Sequence, residues 1–183
     1  MKYAKNGQKR MLIDVVFLFL TGAFLGWLYE VLLFVFKDGM LVNRGMLHGP
    51  WLPIYGLGCL AMVWLKKVVG DRPIPYFLIS MAVCGVMEYI SSWLSETIYH
   101  VRWWDYSSCP LNLNGRIFLG GLLGFGAAGC LFTFLLHPFI CKRYNTIPQR
   151  WKQHIAAFLF TAFLMDLLLS LFFPNVGIGI TSC

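Results

Sequence analysis

The sequence predicts an all-α fold, a polytopic transmembrane helical bundle of about five spans. Three observations carry this reading. Of 183 residues, 58% are hydrophobic and 13% charged, against about 45–50% and about 25% in soluble domains. Apolar stretches recur at lengths near the roughly 20 residues that cross a bilayer core. Lys and Arg crowd alternate connecting stretches, the asymmetry that sets orientation in a membrane. Such a composition excludes a disordered chain, a small disulfide-stapled domain and an ordinary soluble enzyme. The net charge of +7 does not mark a nucleic-acid binder, because the basic residues sit at the ends of apolar runs.

The elements follow in order, within one membrane domain covering residues 1–183. Lys2, Lys5, Lys9 and Arg10 precede an apolar run over residues 11–36. Thr21-Gly22-Ala23 has the small residues of a signal cleavage site, but the run continues past it and reads as a retained first span. Further spans are expected at 53–65, the shortest, and at 75–99, 117–140 and 155–173. All eight prolines lie near predicted ends, where proline costs a helix least. With the N-terminus inside, eleven Lys and Arg fall on inner stretches and four, Lys37, Arg44, Arg102 and Arg116, on outer ones. A cytoplasmic N-terminus and an outer C-terminus follow. In the fourth span, Gly120, Gly124 and Ala128 recur every four residues and invite close helix packing, most simply against an internal neighbour.

Ionisable groups inside a span ask for a partner or a task. Glu30 lies near the outer end of the first span, Glu88 and Glu96 in the third, and Asp166 in the fifth, with no obvious partner. Glu88, Ser91, Ser92, Ser95, Glu96 and Tyr99 fall at steps of three and four, one stripe of a helix that must turn away from lipid. Two polar outer loops, for which a re-entrant path is open, supply complementary groups. One runs through Asn43, Arg44 and His48 towards Tyr55; the other holds Trp104, Asp105, Tyr106, Asn112, Asn114 and Arg116. The expectation is one outward-facing cavity for a solute or ion, lined by these residues with Glu30, Glu88, Ser92 and Glu96. Glu30 with Asn43-Arg44-Gly45, and Glu96 with Asn114-Gly115-Arg116, also hint at a parallel internal repeat.

No phosphate loop, HExxH, GxSxG or dinucleotide fingerprint occurs. No ligand spacing points to zinc, so neither metal nor cofactor is expected. The six cysteines form no CxxC pair; Cys109 and Cys183 could pair on the outer face.

The string Gly26-Trp27-Leu28-Tyr29-Glu30, Asn43-Arg44-Gly45 and Gly49-Pro50-Trp51-Leu52-Pro53-Ile54-Tyr55-Gly56 resembles the bacterial family called putative ABC-transporter type IV. Trp103-Trp104-Asp105-Tyr106-Ser107 and Asn112-Leu113-Asn114-Gly115-Arg116-Ile117 resemble its second block. The resemblance covers roughly residues 13–140. It implies a multi-pass component of an exporter or importer in a bacterial plasma membrane, and names no catalytic residue. It also implies a separate ATPase subunit at the inner face, with Lys66-Lys67 and the Lys142–Lys152 connector as contacts, and a homo- or hetero-oligomer.

Three functions stay open at this point. The chain is a permease-like transport component among membrane lipids, an enzyme on a lipid or lipid-linked substrate at the outer leaflet, or a structural or sensory scaffold. The sequence names no nucleophile, and the family resemblance favours transport.

Overall fold

In lipid, backbone polar groups must be satisfied within the segment, so apolar runs of this length fold as helices. The structure is a computed structural model that describes residues 2–176, and for 2–6, 9 and 38 the backbone alone. It is mostly helical. Helices α1 (Lys2–Asp38), α2 (Pro53–Val69) and α3 (Pro73–Tyr99) are followed by short strands β1 (Asn112–Leu113) and β2 (Ile117–Phe118). A continuous helical run then comprises α4 (Leu119–Leu131), a π-helical turn (Phe132–Leu136) and α5 (His137–Asn145), and α6 (Gln149–Phe172) closes the order.

Among the described residues, four helices are long and apolar enough to cross a membrane: Arg10–Lys37, Pro73–Tyr99, Leu119–Asn145 and Gln149–Phe172. The second expected span is the exception. With 17 residues, α2 is about 25 Å long at 1.5 Å per residue, short of a hydrocarbon core of about 30 Å. The fourth run starts two residues later than its expected Ile117, because Ile117 and Phe118 are taken into β2, and it continues past Pro138 to Asn145. Proline inside a helix clashes with the carbonyl four residues back. Here the π-turn precedes it, with His137 N–H bonded to Phe132 O, five residues back, and this wider turn accommodates the ring.

The chain forms two compact units, with boundaries inside α2 and α5. The first holds Met1–Leu60 and Ile140–Asn175. In it α1 and the start of α2 cross closely: a Cβ on Gly22 would lie 2.7 Å from Cys59 Sγ, and one on Gly56 2.6 Å from Phe19 O. Leu52 N–H donates to Ala23 O at 3.0 Å and ties the entry of α2 to the flank of α1. Leu20, Leu47 and Phe163 form the core beneath, packed by Phe19, Met46 and Trp51.

The second unit is built on Ala61–Phe139. Met62, Leu65 and Tyr76 make its core with Val83, Phe132 and Phe134. Helix α3 packs along α4, and the contact is not made by the expected stripe. Gly120, Gly124 and Ala128 are exposed, whereas Gly126 and Gly129 are buried. Gly126 faces Phe77 and Met81 of α3, and Gly129 faces Ser80 and Met62. The periodicity was readable, but nothing local chooses between neighbouring small-residue faces of one helix.

Gly126→Ile should therefore destabilise the chain by about 1–3 kcal/mol through overpacking. Gly124→Ala, whose Cβ would meet nothing within 4 Å, should be neutral. Thermal unfolding of both variants in one detergent checks the pair.

Candidate functional site

In the first unit, Glu30 on α1 and the loop after it form an acid–guanidinium clamp. Arg44, itself buried, donates from Nε to Glu30 Oε2 at 3.4 Å and lies over the Phe34 ring at 4.3 Å. Tyr55 O–H donates to the other carboxylate oxygen, Oε1, at 2.7 Å. One turn before Glu30, Trp27 Nε1–H donates to Asn43 Oδ1 at 2.6 Å, and Asn43 Nδ2 donates to His48 O at 2.8 Å. The loop is thus fastened to α1 by an ion pair and by an amide bridging side chain to backbone.

The same loop is held from α6 by Asp166. His48 N–H reaches Asp166 Oδ1 at 3.1 Å, and Gly49 N–H reaches Oδ2 at 2.9 Å. Ser170 O–H adds a bond to Oδ1 at 3.3 Å. Two successive backbone donors aimed at one carboxylate make a small anion nest. Position 49 must stay bare, because a Cβ there would lie 2.5 Å from Trp51 Nε1 and 2.8 Å from Asp166 Oδ2. Below it, the His48 Nε2 hydrogen bond to Phe173 O at 2.8 Å and the Asn175 Nδ2 bonds to Asn43 O and Gly45 O, both 3.2 Å, complete the attachment.

In the second unit, Glu96 near the end of α3 lies between two guanidinium groups. Arg102 Nε donates to Oε1 at 2.9 Å, and Arg116 Nη2 donates to Oε2. Arg116 Nη1 also donates to Ser92 Oγ at 3.0 Å. His100, in a left-handed conformation, ends α3 and turns the chain so that Arg102 points back at it. Arg116 follows a tight turn in which Asn114 and Gly115 both have positive φ, the Asn-Gly geometry that β-hairpins favour. β1 and β2 pair antiparallel around that turn. A Cβ on Gly115 would collide with the Ser107 hydroxyl and the Asp105 carboxylate.

The loop's other polar groups are absorbed in the same way. Trp104 Nε1–H donates to Arg116 O at 3.0 Å, and Asn112 Nδ2 donates to Cys109 O at 2.8 Å. Asn114 Nδ2 donates to Tyr89 Oη at 2.8 Å, and Tyr106 O–H donates to Glu88 Oε1 at 3.4 Å. Outside the spans the electrostatics are legible. The Ser107 hydroxyl and backbone N–H hold the Asp105 carboxyl below its ordinary range, with Arg102 adding to the effect. The hydrogen bond to Glu96 raises the Arg102 guanidinium above its ordinary value. Among the described residues no three His, Cys, Asp or Glu side chains converge as metal ligands would.

The residues expected to line one cavity are divided between the two units. Glu30, Asn43, Arg44, His48 and Tyr55 belong to the first, and Glu88, Ser92, Glu96, Trp104, Asp105, Tyr106, Asn112, Asn114 and Arg116 to the second. Asp166, which had no visible partner in the sequence, anchors the first loop through backbone N–H groups. Backbone donors carry no sequence signature, so that role could not be read beforehand. The Asn114-Gly115 hairpin did carry one, and the all-helical reading passed over it. Cys183 lies outside the described residues, and with it the Cys109–Cys183 pairing.

Two predictions follow from this geometry. Asp166→Asn keeps one acceptor and places an NH2 against the second backbone donor. It should cost about 1–3 kcal/mol and speed hydrogen exchange at His48 and Gly49 in particular. A carboxyl whose pKa is depressed by folding contributes stability above its unfolded pKa, and loses it as pH falls through the folded value. Ser107→Ala should move the Asp105 titration up towards the ordinary carboxylate range, so that this contribution is lost at higher pH than in the native chain. Carboxyl carbon chemical shifts over an acid titration measure it.

No curated protein and no solved structure matches the chain. Residues 17–171 match the family described as Putative ABC-transporter type IV. That match covers well over half of the 183 residues and takes in Glu30, Arg44, Glu96, Arg116 and Asp166, so this multi-pass membrane chain belongs to the Putative ABC-transporter type IV family.

Proposed function

We propose that the chain is a permease-like component of a transport system, with the polar loop cluster of each unit as a binding surface for a solute or ion. One observation carries the reading. Along α3, Tyr76, Ser80, Cys84, Glu88, Ser92 and Glu96 recur at every fourth residue, and Tyr76, Ser80, Glu88 and Ser92 are buried. This inclined ridge extends the expected stripe from the outer half of the helix to its first turn. Its members meet polar partners at both ends: Tyr76 O–H lies 3.0 Å from Met62 O and 2.5 Å from Thr133 Oγ1, and Glu96 meets its two arginines. A pathway needs polar groups along the whole span, whereas an outer-leaflet enzyme needs them at one end. Glu88, 7% exposed in mid-helix, is the residue we place in the path, since buried intramembrane acids are functional candidates by default.

The orientation proposed from the charge bias puts the N-terminus in the cytoplasm of a bacterial cell. No phosphate-loop motif occurs in the chain, so a separate ATPase subunit supplies nucleotide hydrolysis from the inner face. Purification in mild detergent should retain that subunit in stoichiometric amount. Glu88→Gln and Glu96→Gln should abolish flux in vesicles holding the complex while membrane insertion stays normal. Accumulation of one unprocessed lipid in the same variants would replace transport with an outer-leaflet enzyme. Lost assembly with no effect on either would leave a scaffold.

A further inference from the structure

Far along the chain from the two loops, the first unit holds a buried cation that the polar clusters do not use. Lys152 lies in the first turn of α6 and is 8% exposed. Its ammonium sits 3.9 Å from the centroid of the Tyr144 ring. Among the described residues it makes no ion pair and no side-chain hydrogen bond. A lysine so largely withdrawn from solvent without a counter-charge is costly, and an aromatic face recovers a small part of that cost. The nearby acid, Asp14, is exposed and engaged elsewhere, accepting from Tyr144 O–H at 2.6 Å.

A second orphan lies one turn away on the same helix. Gln149 Nε2 is buried and has no hydrogen-bond partner, although buried amide donors are nearly always satisfied. The helix end itself adds to the imbalance. α6 begins after Pro148 with no side-chain cap and no acid in its first turn, so its positive dipole end is uncompensated. Arg150 beside it is exposed, as is Lys142 in the last turn of α5. An unsatisfied buried amide donor, a mostly buried lysine without an ion pair, a bare helix N-terminus and flanking cations share one requirement, an anion.

The surroundings decide which anion. The turn over residues 146–148 joins Leu119–Asn145 to Gln149–Phe172, both long and apolar enough to span, so it lies at a membrane surface. From that turn, Trp151, Ile155 and Phe158 are exposed at steps of four and three down α6. They offer a track for an acyl chain, which a free phosphate would not use. We infer that the α5–α6 turn binds the phosphate of an anionic phospholipid through Lys152, Gln149 and the N-terminus of α6, with the acyl chain along Trp151, Ile155 and Phe158. Arg150 and Lys142 add attraction for the headgroup's net charge. This site is independent of the transport reading.

Native mass spectrometry of the full chain in mild detergent tests the inference, with phosphatidylglycerol and phosphatidylcholine offered at equal concentration. Phosphatidylglycerol should be retained preferentially. Lys152→Met should weaken it about tenfold or more, and Lys152→Arg should restore most of the binding. Arg150→Gln should weaken it about fivefold, and Gln149→Leu should weaken it without any change in charge. Lys67→Gln, at an exposed basic position of the other unit, should change nothing. If Lys152→Met does not elute as a folded species, Gln149→Leu and Arg150→Gln carry the test. Equal retention of the two lipids, or retention unaffected by the α6 variants, overturns the site. Displacement by inorganic phosphate at millimolar concentration makes the ligand a free phosphate and overturns the lipid. A co-purified soluble protein released by these same variants makes the turn a protein dock and overturns it as well.

Discussion

The carboxylate–guanidinium pair is the interaction on which the polar half of each unit depends. A glutamate near the end of a long apolar helix cannot be left unpaired without a large desolvation cost, and an arginine from the following loop answers it. Glu30 takes Arg44, and Glu96 takes Arg116 with Arg102. Once the pair forms, the loop is drawn back over its helix, and its own amides and indoles must find partners there. Trp27 with Asn43 in the first unit, and Tyr89 with Asn114 in the second, meet that need. The positive-φ glycines Gly45 and Gly115 let the backbone follow so closely.

Both units use the same device. Each hairpin consists of a helix bearing an acid, a loop bearing an Asn, Arg and Gly group, and a following helix. The two differ in what else secures the loop. In the first unit Asp166 reaches it from a helix remote in sequence. In the second, a β-hairpin and the Asp105–Ser107 turn do so locally. A distant anchor links the loop to the packing of α6, whereas a local one makes the loop's shape depend on its own residues.

Apolar packing fixes the register in which these polar groups meet. In the second unit, bare Cα positions at Gly126 and Gly129 bring α4 onto the face of α3 that carries Ser80. Along the first stretch of that contact Tyr76 bonds to Thr133 of the π-turn, and further along Ser92 and Glu96 receive Arg116. Polar contacts therefore secure the α3 ridge at both ends. In membranes such an arrangement rests on hydrogen bonding and close packing between helices rather than on hydrophobic burial.

The sequence by itself determined the helical membrane class, most helix positions and the stripe of Glu88, Ser92 and Glu96, because these rest on composition and on periodicity, which are local. It also marked Glu30, Arg44 and Arg116 as residues needing partners, since an ion inside an apolar run is conspicuous whatever surrounds it. Tertiary structure alone decided who the partners are. Asp166 is satisfied by backbone N–H groups that every residue possesses, so no spacing could announce it. The choice of Gly126 and Gly129 over Gly120 and Gly124 depends on how α3 presents Phe77, Ser80 and Met81. The start of α6 at Gln149, ahead of the expected Ile155, places Lys152 inside a helix rather than in a solvated connector. Burial and pairing are properties of the packed chain, and a linear pattern can state only that they will be required.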